Sequence, residues 1–182
     1  MDRRRQSQDE VLLEKPKSYD AVDAFKSNSK DGMNVRISNL SNEQLIVDPQ
    51  KFAIFESVKD AKAEATFCLH IYAESGHEID GLPVAISCQI SEKKYILEAS
   101  NSVDDPLNSV NFLEKQLPRV IESKTSGLIF YLQEFSTGDS SFRFESSLHK
   151  GFCLAWNSEK KLILKRKQSI DEKEAFRFSE NN

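Results

Sequence analysis

Asp20 and Asp23 are the residues of this chain set up most plainly for chemistry, and it is chemistry done to the chain. Each is followed by alanine within Lys17-Ser-Tyr-Asp-Ala-Val-Asp-Ala24. An aspartate with a small residue after it, in a stretch expected to be extended and accessible, is what a protease cutting after aspartate needs. The same two carboxylates read equally as an acidic spot in a solvated tail.

Side chains that would do chemistry are not arranged for it. His70, His77 and His149 are far apart, and none is spaced with Cys, Asp or Glu as a metal site requires. The serines lack a Gly-x-Ser-x-Gly elbow, and no glycine-rich phosphate loop is present. Asp104-Asp105-Pro106 and Asp139 lack the spaced ligand set of a calcium loop and read as turn formers. No catalytic residue, metal or cofactor is expected, and the chain is not read as an enzyme. Cys68, Cys88 and Cys153 each lie in an apolar run without Cys-x-x-Cys spacing, so buried free thiols are expected, and their odd number argues against a disulfide framework.

The positioning elements follow from composition and pattern. With 182 residues, 38% hydrophobic and 30% charged, the chain can bury one core, giving one domain and a tail. A net charge of −4 gives no global pull toward nucleic acid or an anionic membrane, and neither is an expected partner. Arg3-Arg4-Arg5 and Lys165-Arg166-Lys167 are short clusters of the kind that are usually solvated surface. MDRRRQSQDE and the Val11-Leu12-Leu13 after it supply no apolar signal-peptide core, and no apolar run approaches the roughly 20 residues of a membrane span. The expectation is a cytoplasmic precursor that, if it acts outside the cell, leaves without a leader. Asn39-Leu40-Ser41 is a glycosylation sequon expected to stay unmodified for the same reason.

Residues 1 to about 33 carry too few apolar side chains to offset the entropy of ordering them and read as a mobile leader. From Asn34 the pattern is of short β-like runs, at 35–38, 44–48, 52–55, 66–72, 82–89, 94–99, 109–113, 128–134, 141–145, 152–156, 160–165 and 175–179. Turn devices separate them, among them Asp80-Gly81, Lys150-Gly151 and Asn157-Ser158. Short helices are expected only at 60–65 and 117–123. Twelve strands suit a sandwich, an up-and-down barrel or three four-strand units about a pseudo-threefold axis. Periodicity does not choose among them.

The run from Phe142, FRFESSLHKGFCLAWNSEKKLILKRK, places a strand ending in Phe-Glu-Ser before a turn, an apolar strand and a Lys-Leu-Ile-Leu-Lys strand. In this it resembles the C-terminal third of interleukin-1 family cytokines. Similar matches run from Asn39 to Asp48, through Ile54-Phe55-Glu56, and over 112–131 with Pro118, Ile121 and Ser126. His149-Lys150-Gly151 replaces the Phe-Pro-Gly-Trp turn of most members, which sets the chain apart from the interleukin-1 and interleukin-36 branches.

The resemblance implies an all-β β-trefoil, a six-strand barrel capped by three hairpins, behind a largely disordered leader. It implies a pro-inflammatory cytokine, a monomer, with a propeptide at 1–23 and a cytokine domain at 24–182. Caspase cleavage after Asp23, or alternatively Asp20, would release the domain for secretion. Asp-Ala-Val-Asp puts aspartate where inflammatory caspases prefer a bulky apolar residue, which leaves open whether an inflammatory or an executioner caspase cuts. Its implied partners are the alpha and beta receptor chains, both of immunoglobulin type, and a soluble binding protein. Carried over by position, Ser38, Asn42, Val58 and Asp60 would contact the first chain, and Asn108, Leu113 and Gly127 the second. Asp60 matches the family's acidic residue; Ser38, Asn42 and all three residues of the second surface stand where relatives carry charge, and Glu114, Lys115 and Lys124 are neighbours to which that contact would move. Two other readings stand beside this one. The first is a β-trefoil carbohydrate or heparin-binding module using Lys160, Lys161, Lys165, Arg166 and Lys167. The second is an intracellular or nuclear interaction protein.

Overall fold

Strands form where apolar and polar side chains alternate, and the hydrogen-bond ladders between them close on themselves. The computed structural model describes residues 25–27, 32–48, 52–57, 66–74, 81–135, 140–167 and 171–180. Fourteen strands lie among them: β1 (Phe25–Ser27), β2 (Met33–Asn39), β3 (Gln44–Val47), β4 (Ala53–Glu56), β5 (Phe67–Glu74), β6 (Leu82–Ile90), β7 (Lys93–Ala99), β8 (Val110–Glu114), β9 (Val120–Ile121), β10 (Phe130–Glu134), β11 (Phe142–Ser146), β12 (Phe152–Trp156), β13 (Leu162–Arg166) and β14 (Phe176–Glu180). Pairing runs β2–β5–β6–β10–β11–β14 and returns to β2, an antiparallel ring of six. Hairpins β3–β4, β7–β8 and β12–β13 branch from β2, β6 and β11. A six-strand barrel with one hairpin per pair of barrel strands is a β-trefoil, and closure leaves the barrel no free edge.

The core fills the barrel and the underside of the hairpins. Val35, Ile37, Leu69, Ile86, Phe130 and Phe144 come from the barrel, and Phe55, Leu97, Phe112, Leu154 and Leu162 from the hairpins. Aromatic pairs join the two layers: Phe55 of β4 stacks on Phe176 of β14 at 5.8 Å between ring centroids, and Phe112 of β8 meets Phe67 of β5 at 5.8 Å. The hairpins also touch one another. Phe55 N donates to Lys160 O at 2.9 Å, and Leu164 N donates to Ser109 Oγ at 2.8 Å.

All twelve strands expected from the pattern are present, and the two additional ones correct the sequence reading. Phe25 falls within the stretch read as a mobile leader, yet β1 pairs with β5 and β9, and Phe25 is 1% exposed. It packs with Tyr72, Ala85 and Ile129 in a second apolar cluster on the outside of the barrel, against which Leu117, Ile121 and Tyr131 also lie. The helix expected over 117–123 is replaced by β9. The Pro118 carbonyl accepts from the Tyr72 hydroxyl at 2.7 Å and Arg119 O accepts from Ser27 N at 2.9 Å, so both carbonyls are committed outside a helix. This cover explains why β6 is buried from Pro83 to Cys88 instead of alternating. Cys88 and Cys153 are buried, and burial pushes both thiols up to about 12. Cys68 is only half-buried, because it faces outward on β5, and none of the three is joined in a disulfide. The helix expected at 60–65, Asp20, Asp23, Val58, Asp60 and His77 lie outside the described residues. Among the described residues no helix is long and apolar enough to cross a membrane.

Candidate interaction surface

The tip of the β2–β3 hairpin is built by Asn39. Its side chain is fully buried, its Oδ1 accepts from the backbone N–H groups of Ser41 and Glu43 at 3.0 Å each, and its Nδ2 donates to Glu43 Oε2 at 2.8 Å. Asn42 completes the turn in the left-handed region, at φ 61°, which asparagine tolerates better than most residues. The Asn42 side chain is thereby presented to solvent, while Asn39 of the sequon is consumed by the fold. Glu43 also meets Lys160 from the β12–β13 turn. The bonds from Lys160 and Asn39 hold its carboxyl below the usual range.

Ser38 lies one step back on β2, half-buried, and registers with Arg177 of β14 on one side and Gln44 of β3 on the other. Gln44 in turn faces Glu56 of β4. Residues directly opposite across a ladder share a face, so Arg177, Ser38, Gln44 and Glu56 form a polar row across four strands, cationic at one end and acidic at the other. The chain leaves this row at Glu56 toward 58–60. Arg177, Gln44 and Glu56 were not singled out from the sequence. Their only signal is the register, which a single sequence does not display.

Of the three residues expected on the second surface, Gly127 and Asn108 lie at the C-terminal end of β7, and Leu113 lies opposite its middle. Leu113 is exposed opposite Ile96. Gly127 O accepts from Ala99 N at 2.8 Å, and a Cβ on Gly127 would stand 2.6 Å from Ala99 O. Asn108 O accepts from Ser100 Oγ at 2.5 Å, and its side-chain amide donates to Asp105 Oδ2 at 2.6 Å, closing a 3-10 turn at Pro106–Asn108. Around them Lys93 pairs with Glu114 at 3.2 Å and Lys115 with Glu98 at 2.6 Å.

A separate groove of about 590 Å³ runs over β5 and β6, lined in part by Cys68, His70, Ser87 and Lys94. His70 Nε2 is 2.8 Å from Ser87 Oγ, which has the outline of a base and its hydroxyl. Ser87 is 2% exposed, so a substrate atom cannot reach it. Burial, with a contribution from Lys94, lowers His70 to about 4. The pair is a satisfied polar contact in the sheet. Among the described residues no three His, Cys, Asp or Glu side chains are grouped to hold a metal ion.

Comparison with known proteins agrees with this picture. The family described as Interleukin-1 / 18 matches residues 56–178. Interleukin-18 of Gallus gallus is 32% identical over 155 residues, covering 79% of this chain and 77% of that protein. Interleukin-18 of Mus musculus is 33% identical over 143 residues, covering 75% and 70%. Among solved structures, chicken interleukin 1 beta superposes with a TM-score of 0.65 at 15% identity over 85% of this chain and 99% of that one, a likeness of fold. A β-trefoil of this connectivity, matched over more than half its length, belongs to the interleukin-1 / 18 family, and this chain is an interleukin-18-like cytokine of that family.

Proposed function

We propose that this chain is a pro-inflammatory cytokine precursor. A caspase cleaves it after Asp23, or alternatively after Asp20, and the fragment 24–182 signals by bridging interleukin-18-type receptor alpha and beta chains. The observation that carries the reading is the identity to interleukin-18, which spans three quarters of the chain. The cleavage site is supported by the position of β1: it begins at Phe25, so a cut after Asp23 removes none of the described strands. In this reading the precursor stays in the cytoplasm, the processed form is exported without a signal peptide, and the protein acts as a monomer. A soluble binding protein is a further partner.

Receptor contact falls on two faces. Ser38, Asn42, Val58 and Asp60 serve the alpha chain, and the polar row from Arg177 to Glu56 runs through Ser38. Asn108, Leu113 and Gly127 serve the beta chain, with Glu114, Lys115 and Lys124 as charged neighbours. Strands and tight turns hold Ser38, Asn42, Asn108, Leu113 and Gly127, so little ordering of these five is needed on binding.

The test is side-by-side binding of full-length protein and the 24–182 fragment to immobilised interleukin-18 receptor ectodomains from the same source. Binding by the fragment and not by the full chain supports a latent cytokine gated at Asp23. Equal binding removes the gate, and binding by neither removes the receptor-bridging reading. Within a binding fragment, Asp60→Lys slows association and raises Kd by roughly tenfold if Asp60 steers the alpha chain; unchanged kinetics take Asp60 out of the site.

A further inference from the structure

Lys160 and Lys161 are neighbours at the start of β13, yet their ammonium groups go to different hairpins. Lys160 meets Glu43, next to Asn42, whereas Lys161 Nζ donates to Leu107 O at 2.5 Å, next to Asn108. Two adjacent lysines thus join the two expected receptor faces. Backbone contacts fix them there: Ile54 bridges to Lys161, and Phe55 N donates to Lys160 O.

The two lysines also differ in charge balance. Lys160, Lys165 and Lys167 are ion-paired with Glu43, Asp171 and Glu145, and Arg166 lies 5.2 Å from the centre of the Phe152 ring. Among the described residues Lys161 has no carboxylate partner. Its ammonium sits 4.2 Å from the centre of the Phe52 ring and takes one carbonyl. Phe52, 42% exposed, and Leu107, 47% exposed, flank it. Phe52 ends the β3–β4 loop, Leu107 stands in the β7–β8 loop and Lys161 ends the β12–β13 turn, so all three hairpins contribute one residue to one spot.

An ammonium held against a ring face and bonded to a backbone carbonyl is partly dehydrated, and a carboxylate arriving there meets it in a lower effective dielectric than at open surface. The apolar flanks would be covered by the same encounter, the arrangement in which a central charged pair is ringed by apolar contact. Of the five cations in this run only Lys161 and Arg166 lack a carboxylate partner among the described residues, and the single ammonium at this spot suits one carboxylate better than a polyanion, whose binding grows with the number of free cations.

We propose that Phe52, Leu107 and Lys161 form a docking point for an acidic side chain of a receptor chain, set among apolar residues of that chain, at the junction of the two receptor faces. The inference rests on the receptor reading above.

The test measures binding of the full chain, uncut and after caspase treatment, to the paired alpha and beta ectodomains at low and at physiological salt. The form that binds is then compared with its Lys161→Glu, Lys161→Met, Phe52→Ser and Leu107→Ser variants. Lys161→Glu is expected to weaken binding by about tenfold or more, and Phe52→Ser and Leu107→Ser by severalfold. Lys161→Met keeps the apolar stem over Phe52 and is expected to lower the salt dependence, which keeps the test decisive if Lys161→Glu fails to fold. A wild type that binds while every variant stays within about twofold overturns the docking point alone. A wild type that binds in neither form overturns the receptor reading, and the docking point with it.

Discussion

His70 is the residue at which protonation and stability are most directly linked. Burial and Lys94 lower it from 6.5 to about 4, so between those values the unfolded chain binds a proton that the folded chain does not. Stability from this group is complete above about pH 6.5, falls as the pH drops toward 4 and changes no further below it. After allowance for solvent screening at a part-exposed ring, the loss is on the order of 2 kcal/mol. Glu43 and Asp171 act at lower pH. Lys160 and Asn39 outweigh burial at Glu43; at Asp171 burial pushes the carboxyl up but Lys165 and the Lys173 N–H bring it below its usual value. Their contributions are lost as pH falls through those lowered values. Denaturant midpoints taken from pH 7 to 3 should therefore drop in two stages. His70→Gln, which retains a hydrogen-bond partner for Ser87, should remove the upper stage and leave the lower. At Asn39 the issue is satisfaction and not charge. Asn39→Ala leaves two turn N–H groups without their acceptor and should cost about 2 kcal/mol, read as a lower midpoint at unchanged m-value.

The strap of β1 and β9 is the element that sequence reading missed, and the reason is physical. A three-residue strand and a two-residue strand have no periodicity of their own; what orders them is the apolar recess formed by Tyr72, Ala85 and Ile129, which exists only after β5, β6 and β10 have paired. The twelve trefoil strands were legible because β2, β4, β5 and β8 bury alternate residues, which writes alternation into the chain, because most of the others carry short β-branched or aromatic runs, and because Gly or Asx residues punctuate the turns. The strap's dependence on a single ring makes it testable. Phe25→Ala empties the recess, and buried Phe→Ala changes cost about 3–5 kcal/mol when the site cannot relax. Here the strap can detach from an intact barrel, so the global loss should be smaller. Amide exchange should speed up at 25–27 and 120–121 while β11, β12 and β13 keep their protection. Equal loss of protection across the barrel would show that the strap and the trefoil unfold as one unit. Gly127 offers a second test at this scale: Gly127→Ala forces a Cβ against Ala99 O and should weaken the contact that ties the β9–β10 connection to β7.

At the scale of the molecule, the architecture was legible through the interleukin-1 family resemblance, while the proposed receptor surface rests on positions carried over from that family. Ser38, Asn42, Asn108, Leu113 and Gly127 were carried over by position. That Lys160 and Lys161 join those faces is a product of three hairpins meeting, and no local pattern encodes it. The same geometry changes how the C-terminal basic run reads. In the sequence, Lys160, Lys161, Lys165, Arg166 and Lys167 look like a polyanion site. In the fold, Glu43, Asp171 and Glu145 neutralise three of the lysines, and burial does not keep Glu145 from staying ionised, because the Gly151 N–H, Gln133 and Lys167 outweigh it. Polyanion affinity depends on how many cations exchange condensed counterions, at close to one unit of log–log salt slope for each phosphate neutralised on duplex DNA. A run in which, among the described residues, Lys161 and Arg166 have no carboxylate partner should give a shallow slope, near 2. Heparin chromatography at pH 7 should therefore release the protein at low salt. Replacing Glu43 and Glu145 by Gln should free Lys160 and Lys167, steepen the slope and delay elution. If the wild type instead stays bound at high salt, the ion pairs do not hold in solution and the polyanion-binding reading regains its basis.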